Sequence, residues 1–163
     1  MKEKIEKLFQ DYPKMKAELE RLNIEIRDFQ GITPEEAIES MHFAQPEGER
    51  VQKSDISDST GRIALSFRER TERINREWLG HLIQKRALIS DELRFFEVAL
   101  RTLNPLYAAI MVDMVVGQMR WDDLMRKYHV GRTSIARYRR RAVAELDALY
   151  TERNQDVADF LLD

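Results

Sequence analysis

From Ile5 onward apolar side chains recur at alternating steps of three and four: Ile5, Leu8, Tyr12, Met15, Leu19, Leu22, Ile26 and Phe29, with Lys, Glu and Arg filling many of the other positions. That spacing is a heptad seam on one side of an α-helix. Continuous from Ile5 to Phe29, it makes a rod of roughly 37 Å at 1.5 Å per residue. Pro13 deletes one helical hydrogen bond and crowds the turn before it, so the helix is expected to kink there or to restart with Pro13 in its first turn. The seam can pack on the chain's own long helix or on another chain, and a short heptad pattern weighs the two evenly. Gly31 stops this helix. Thr33-Pro34-Glu35-Glu36 then reads as a new start, with Thr33 as N-cap, Pro34 at the first helical position and Glu36 placed to close a capping box; a short helix follows to about His42.

Residues 44–60 carry Gln, Pro, Glu, Gly, Lys, Ser and Asp with few apolar anchors, which predicts a linker and the place for a hinge. Ser57 or Asp58 then caps a long helix whose stripe is Ile63, Phe67, Thr71, Ile74, Trp78, Leu82, Ile89, Leu93, Phe96 and Leu100, with Lys85 its one charged break and Ser90-Asp91 a point of interruption or mere decoration. A helix near 40 residues exceeds the usual globular length, so coiled-coil or hairpin packing against the first element is the expected cover for the stripe. Asn104-Pro105 is a second start signal and opens a helix through Ala108, Ile110, Met111, Met114 and Val115 that ends near Gly117. A short helix from Trp121 to Tyr128, a turn at His129-Val130-Gly131 and a longer helix from about Arg132 to Tyr150 complete the pattern.

The expected fold class is therefore all-α: long N-terminal helices forming a coiled coil or helical hairpin, and a C-terminal helix-turn-helix. The expected divisions are 1–43 for the heptad helix and the short helix, 44–60 for the linker, 61–103 for the long bundle or oligomerisation helix, 104–150 for the helix-turn-helix and 151–163 for an acidic tail.

Composition narrows the chemistry. Of 163 residues 43% are apolar and 34% charged, while six Gly and four Pro are too few for a loop-rich β-sandwich or a phosphate-cradling glycine loop. Net charge is only -2, from 27 Lys and Arg against 29 Asp and Glu, so a uniformly basic surface is excluded and any polyanion site must be local. The absence of cysteine excludes a disulfide framework, a thiol nucleophile and cysteine-ligated zinc, and suits a reducing cytosol. The opening residues are charged, and the most apolar stretch, 103–116, is interrupted by Asp113 and too short to span a bilayer, so neither export nor a membrane span is expected.

Positive charge is concentrated in one place: between His129 and Arg141 there are five arginines and no acid. At 100° per residue, Ile135, Tyr138, Ala142, Leu146 and Leu149 cluster on one face of the helix. Thr133, Arg137, Arg140 and Ala144 cluster on the opposite face, flanked by Arg141 and Ser134. Val130 supplies an apolar plug in the turn. An arginine fork can chelate guanine O6 and N7 or bridge phosphate oxygens, and small Thr133, Ser134 and Ala136 let the helix N-terminus approach base edges. A helix N-terminus also favours phosphate. The alternative, a solvated arginine face or an RNA-binding strip, is disfavoured by the separated faces and the short helix that precedes them.

The segment "WDDLMRKYHVGRTSIARYRRRAVAEL", with the helix opened by Leu-x-Pro before it, resembles the region 4 module of sigma-70-type factors, with Ile135, Ala142 and Leu146 at the family's buried aliphatic, alanine and leucine positions. The module covers about a quarter of the chain. The remainder resembles small bacteriophage and prophage regulators such as the RinA and ArpU families of late-gene activators, through Trp121, "LFQDYPKMKAEL" and "SDISDSTGRIAL". The resemblance implies a transcriptional activator in a bacterial cytoplasm that recognises double-stranded promoter DNA beside RNA polymerase, with no cofactor. By position, Arg132, Thr133, Ser134, Ala136 and Arg137 are the family's base and backbone contacts; the helical wheel adds Arg140 and Arg141. A homodimer through the N-terminal and long helices is expected to present two such modules. The chain departs from the family at Gly131, where a capping Ser or Thr is usual, and at His129, where a turn glycine is common. Arg139 stands near the core edge, where the family often has an aliphatic residue, and is expected to snorkel or to pair with an acid. Nothing resembles sigma region 2.

Catalysis finds little support. His42, His81 and His129 lie in three elements without metal-ligand spacing, and the acidic pairs Glu35-Glu36, Asp91-Glu92 and Asp122-Asp123 sit at helix starts, where the macrodipole explains them. Two other readings remain open: an assembly subunit like a phage small terminase, and an adaptor that holds RNA polymerase while barely reading DNA. The stretch from Glu145 to Asp163 holds six acids with an apolar patch at Val157, Phe160, Leu161 and Leu162, and is expected to dock a partner or, with somewhat more weight, to fold back on the chain's own bundle or fray.

Overall fold

The computed structural model of the chain describes residues 1–42 and 59–162. Most of the expected linker and the expected cap at Ser57 or Asp58 lie outside the described residues. Six helices and no strand occur among those described: α1 (Lys2–Arg27), α2 (Pro34–His42), α3 (Ser59–Arg101), α4 (Pro105–Val115), α5 (Trp121–Tyr128) and α6 (Arg132–Leu162). The fold is all-α, and the long helices α1, α3 and α6 pack together. None of the described helices is long and apolar enough to cross a membrane. The chain divides into two compact units, one of Met1–Arg21 with Leu88–Asp163, the other Leu22–Ala87.

In the first unit the buried core joins Ile5, Phe9 and Tyr12 of α1 to Leu93, Phe96 and Leu100 of α3, Ile110 and Met111 of α4, Leu124 of α5, and Ile135, Ala142 and Leu146 of α6. Phe96 meets Phe9 and Tyr12 at ring-centroid distances of 5.8 and 5.9 Å. The Tyr12 hydroxyl donates to Glu97 at 2.5 Å, and Lys16 reaches the same carboxylate oxygen at 3.2 Å. Phe9 falls outside the heptad seam yet is buried, because α1 meets both α3 and α6 and so needs an apolar face wider than the one for a single partner. α1 runs unbroken through Pro13, so it does not restart there. Pro13 is exposed, and the turn that loses its hydrogen bond is held by the buried Leu8, Phe9 and Tyr12. α3 likewise runs through Ser90-Asp91.

The second unit is organised around a side-chain clamp. Gly31 adopts φ +75, a conformation costly for any side chain bearing a Cβ, and it ends the turn that follows α1. Asn75 of α3 then holds Ile32 from both sides: its Oδ1 accepts the Ile32 N–H at 2.9 Å, and its Nδ2 donates to the Ile32 carbonyl at 2.9 Å. One residue on, the expected capping box of α2 forms, with the Thr33 N–H donating to Glu36 at 2.9 Å and the Glu36 N–H to Thr33 Oγ1 at 3.2 Å. Leu22, Thr71 and Leu82 are buried here. Ile74 and Trp78 belong to the predicted stripe of α3 but are 42% and 50% exposed, so the stripe is incompletely covered. They border an apolar cavity of about 700 Å³ with Ile24, Phe29 and Ile32.

Gly31→Ala places a Cβ 2.6 Å from Asn75 Cγ in a left-handed backbone. It is expected to destabilise the second unit by about 1–3 kcal/mol. Asn75→Ala leaves two exposed backbone groups to water and should cost nearer 1 kcal/mol. Amide exchange at Ile32 and thermal unfolding measure both effects, and equal stability of the two variants would contradict this ordering.

Candidate nucleic-acid interface

α4, α5 and α6 pack on one another pairwise. Asn104 caps α4 as expected, its Oδ1 accepting the Leu106 N–H at 3.0 Å, with Pro105 in the first turn. The end of α4 is set by Gly117, where a Cβ would lie 2.8 Å from the Asp113 carbonyl oxygen, and by Gln118 at φ 53. α5 then spans its predicted residues. Its C-cap is His129 in the left-handed region, φ 53 and ψ 45, which His tolerates better than a β-branched residue would. Val130 packs partly buried against the core, as a plug should. Gly131 gives its carbonyl to the Ile135 N–H at 3.1 Å and so stands as the first residue of the α6 hydrogen-bond ladder.

Three side-chain ties fix this trio. Glu145 of α6 accepts from the Tyr107 hydroxyl and, at 3.1 Å, from the Asn104 N–H, joining α6 to the start of α4. Tyr107 also stacks on Tyr138, ring centroids 5.7 Å apart. Asp113 of α4 accepts from Lys127 at 2.6 Å and from the Tyr128 hydroxyl, joining α4 to the end of α5. Asp113, the lone charge in the apolar stretch, is thus a tie between helices. Glu145, grouped by composition with the acidic tail, acts inside the module.

α6 carries its two faces as the wheel predicts. Ile135, Tyr138, Ala142, Val143, Leu146 and Tyr150 are buried. Arg132, Thr133, Arg137, Arg140 and Arg141 are exposed, and Ser134 and Ala136 are half-buried at the margins. The Arg132 guanidinium lies 5.3 Å from the centre of the Trp121 ring, and that of Arg137 lies 5.6 Å from the Tyr138 ring. Among the described residues no carboxylate pairs with Arg132, Arg137, Arg140 or Arg141. Arg139 points the other way. Its Nη1 donates to Glu6 Oε1 of α1 at 2.8 Å, its Nη2 to Oε2, and its guanidinium covers the Phe9 ring at 5.3 Å. Of the five arginines between His129 and Arg141, four therefore face solvent and one fastens α6 to α1.

Two corrections concern the end of α6. The helix does not stop near Tyr150 but continues to Leu162, and the residues from 155 on neither fold back on the core nor fray. Arg153 sets the boundary: it pairs with Glu92 at 3.1 Å and stacks 4.1 Å over Phe95. Beyond it Val157, Phe160, Leu161 and Leu162 are exposed. Among the described residues no group of His, Cys, Asp and Glu side chains is placed to hold a metal ion. Comparison of the chain with protein-family models, with curated proteins and with solved structures finds no match.

Arg139→Gln removes the Glu6 pair and the Phe9 contact and should lower stability on the order of 1–2 kcal/mol, measured by urea unfolding; Arg140→Gln, exposed and unpaired, should leave stability unchanged. Titration bounds the fold on both sides. The hydrogen bonds from Lys127 and Tyr128 hold Asp113 below the usual carboxylate range. Burial pushes Glu97 up, but hydrogen bonds from Tyr12 and Lys16 outweigh it and hold it low as well. Burial first, then the Glu145 hydrogen bond, raise Tyr107 to about 12; burial first also raises Tyr12, Tyr128 and Tyr150. A depressed carboxylate stabilises above its unfolded value and loses that contribution as pH falls; a raised phenol stabilises below its unfolded value and loses it as pH rises. Stability should therefore hold between about pH 4 and about pH 10 and decline outside, with phenolate absorbance of these four tyrosines appearing only above the ordinary value.

Proposed function

We propose that the chain is a sequence-specific DNA-binding transcription regulator, of the kind that acts as a bacteriophage or prophage late-gene activator beside RNA polymerase. The observation that carries this reading is the exposed arginine face of α6, unpaired with carboxylates among the described residues and opposite the seam the helix buries. A short helix, a three-residue turn and a longer helix with a basic outer face are what a helix-turn-helix needs to lay its second helix in a major groove. In this reading Arg137 and Thr133 face base edges, with Ser134 and Ala136 admitting close approach. Arg132, Arg140 and Arg141 meet phosphates, and the Trp121 ring steadies Arg132. The likeness of the sequence to sigma region 4 supports the same docking. Pairing of two copies, to meet two half-sites, belongs to the proposal. The first part of the α1 seam is occupied by the chain's own α3 and α6, so such a pair would draw on apolar residues that stay exposed, among them Ile24 on α1 and Leu65, Ile74, Trp78, Ile83, Leu88 and Val98 on α3.

The test is duplex binding after selection from a random library. With four arginines available per module, affinity should fall with salt at a log–log slope of roughly -3 to -4. Arg137→Ala should cost about 1–3 kcal/mol on the selected site and relax sequence choice, whereas Arg141→Ala should weaken all duplexes alike. Arg139→Gln, assayed where it remains folded, should bind as the parent does. Unchanged affinity and preference in Arg137→Ala would sink the docking.

A further inference from the structure

We infer that a second copy of this chain seats on the apolar cavity of the second unit, the two copies meeting about a two-fold axis through that cavity. Such pairing is what the DNA-binding reading asks for, and in that respect the inference rests on it. Trp78 stands seven residues after Thr71 and four before Leu82, in phase with both on α3. Those two are 3% exposed and Trp78 is 50% exposed, so the buried seam of α3 lies open at one turn. Ile74, Ile24, Phe29 and Ile32 border the same opening. Contiguity sets this patch apart from Leu65, Ile83, Leu88 and Val98, which are scattered over other sides of α3.

The charges around the cavity select what covers it. Residues 22–42 hold five acids against one Lys or Arg, whereas residues 59–87 hold seven Lys and Arg against three acids. On the α1 side Glu25 and Asp28 line the cavity, and Asp28 also accepts from the exposed Arg27 guanidinium at 3.0 Å. On the α3 side Arg70 stands one turn before Ile74, and with Arg73 and Arg76 it lines the next hollow along the helix, beside Glu69. Among the described residues no carboxylate pairs with these three arginines. A nucleic acid or an anionic membrane is repelled by the acid side, and a basic partner by the arginines. The fitting partner has an apolar centre with acid on one side and base on the other, which is what a second copy presents. A half-turn about the cavity brings Glu25 and Asp28 of each copy toward Arg70 and Arg73 of the other, so every ionic contact is made twice. A net charge of only -2 per chain leaves little repulsion between approaching copies.

The test is sedimentation of the full chain from about 1 to about 100 µM, a range that brackets the affinity of a small interface, with unfolding and single half-site duplex binding measured on the same proteins. The parent should pass from monomer to dimer. Ile24→Ser with Trp78→Ser alters two half-exposed side chains and should weaken pairing roughly tenfold or more. Arg70→Glu with Arg73→Glu, and separately Glu25→Arg with Asp28→Arg, should each pair poorly alone. An equimolar mixture of these two charge variants should pair as the parent does, because each then meets its opposite. All of them should bind one half-site as the parent does. A parent that stays monomeric, a serine variant that pairs like the parent, a mixture no better than its components, or pairing abolished by Phe160→Ser with Leu161→Ser would each overturn the inference. Intact pairing by a chain that binds no duplex would overturn the DNA-binding reading and leave this one standing.

Discussion

A helix has one rotation about its axis, and once one side is buried the other side is decided. Ile135, Ala142 and Leu146 are fully buried, and their burial sets the angle at which α6 leaves the core. That angle alone turns Thr133, Arg137 and Arg140 outward. Arg139 shows the same constraint from within. It sits among the core positions and cannot reach solvent along the arginine face, so it crosses to Glu6 of α1 and lies over Phe9. The guanidinium that interrupts the apolar pattern thereby becomes a fastening between the first helix and the last.

The tyrosines and their acids hold the trio of α4, α5 and α6 in register. Tyr107 with Glu145 and Tyr128 with Asp113 place a hydrogen-bonded carboxylate at each contact of α4 with its neighbours. Such ties are directional, whereas apolar contact is not. They specify which turn of one helix meets which turn of the next, and so where Trp121 lies beneath Arg132. The second unit uses the same device with an amide: Asn75 pairs with the backbone of Ile32 as a neighbouring strand would, fixing a loop that has no regular ladder of its own.

Much of this was legible in the residues. The α4 cap at Asn104, the capping box from Thr33 to Glu36, the span of α5 and the two faces of α6 depend on neighbours within a few positions, and local signals report them faithfully. What local signals left open or missed has one cause. Pro13 and Ser90-Asp91 are helix-weakening locally, and of the outcomes each allowed the structure excludes the restart at Pro13 and the interruption at Ser90-Asp91, because packing of the flanking turns overrides them. Glu145 and Asp113 looked like tail charge and stray charge because their partners stand 38 and 14–15 residues away. Phe9 escaped the heptad because a helix with two neighbours buries more than one stripe.

By itself, then, the sequence determined the class of fold, the helix starts, the separation of an arginine face from an aliphatic one, and the expectation that Arg139 would snorkel or pair with an acid. Only the tertiary structure decided which acid, which arginines remain outward, which helix covers the α1 seam, and that α6 continues to Leu162 beyond its last contact. Capping and periodicity are properties of a few consecutive residues, whereas pairing across tens of residues and the burial of a second stripe come into being only when distant segments exclude water together.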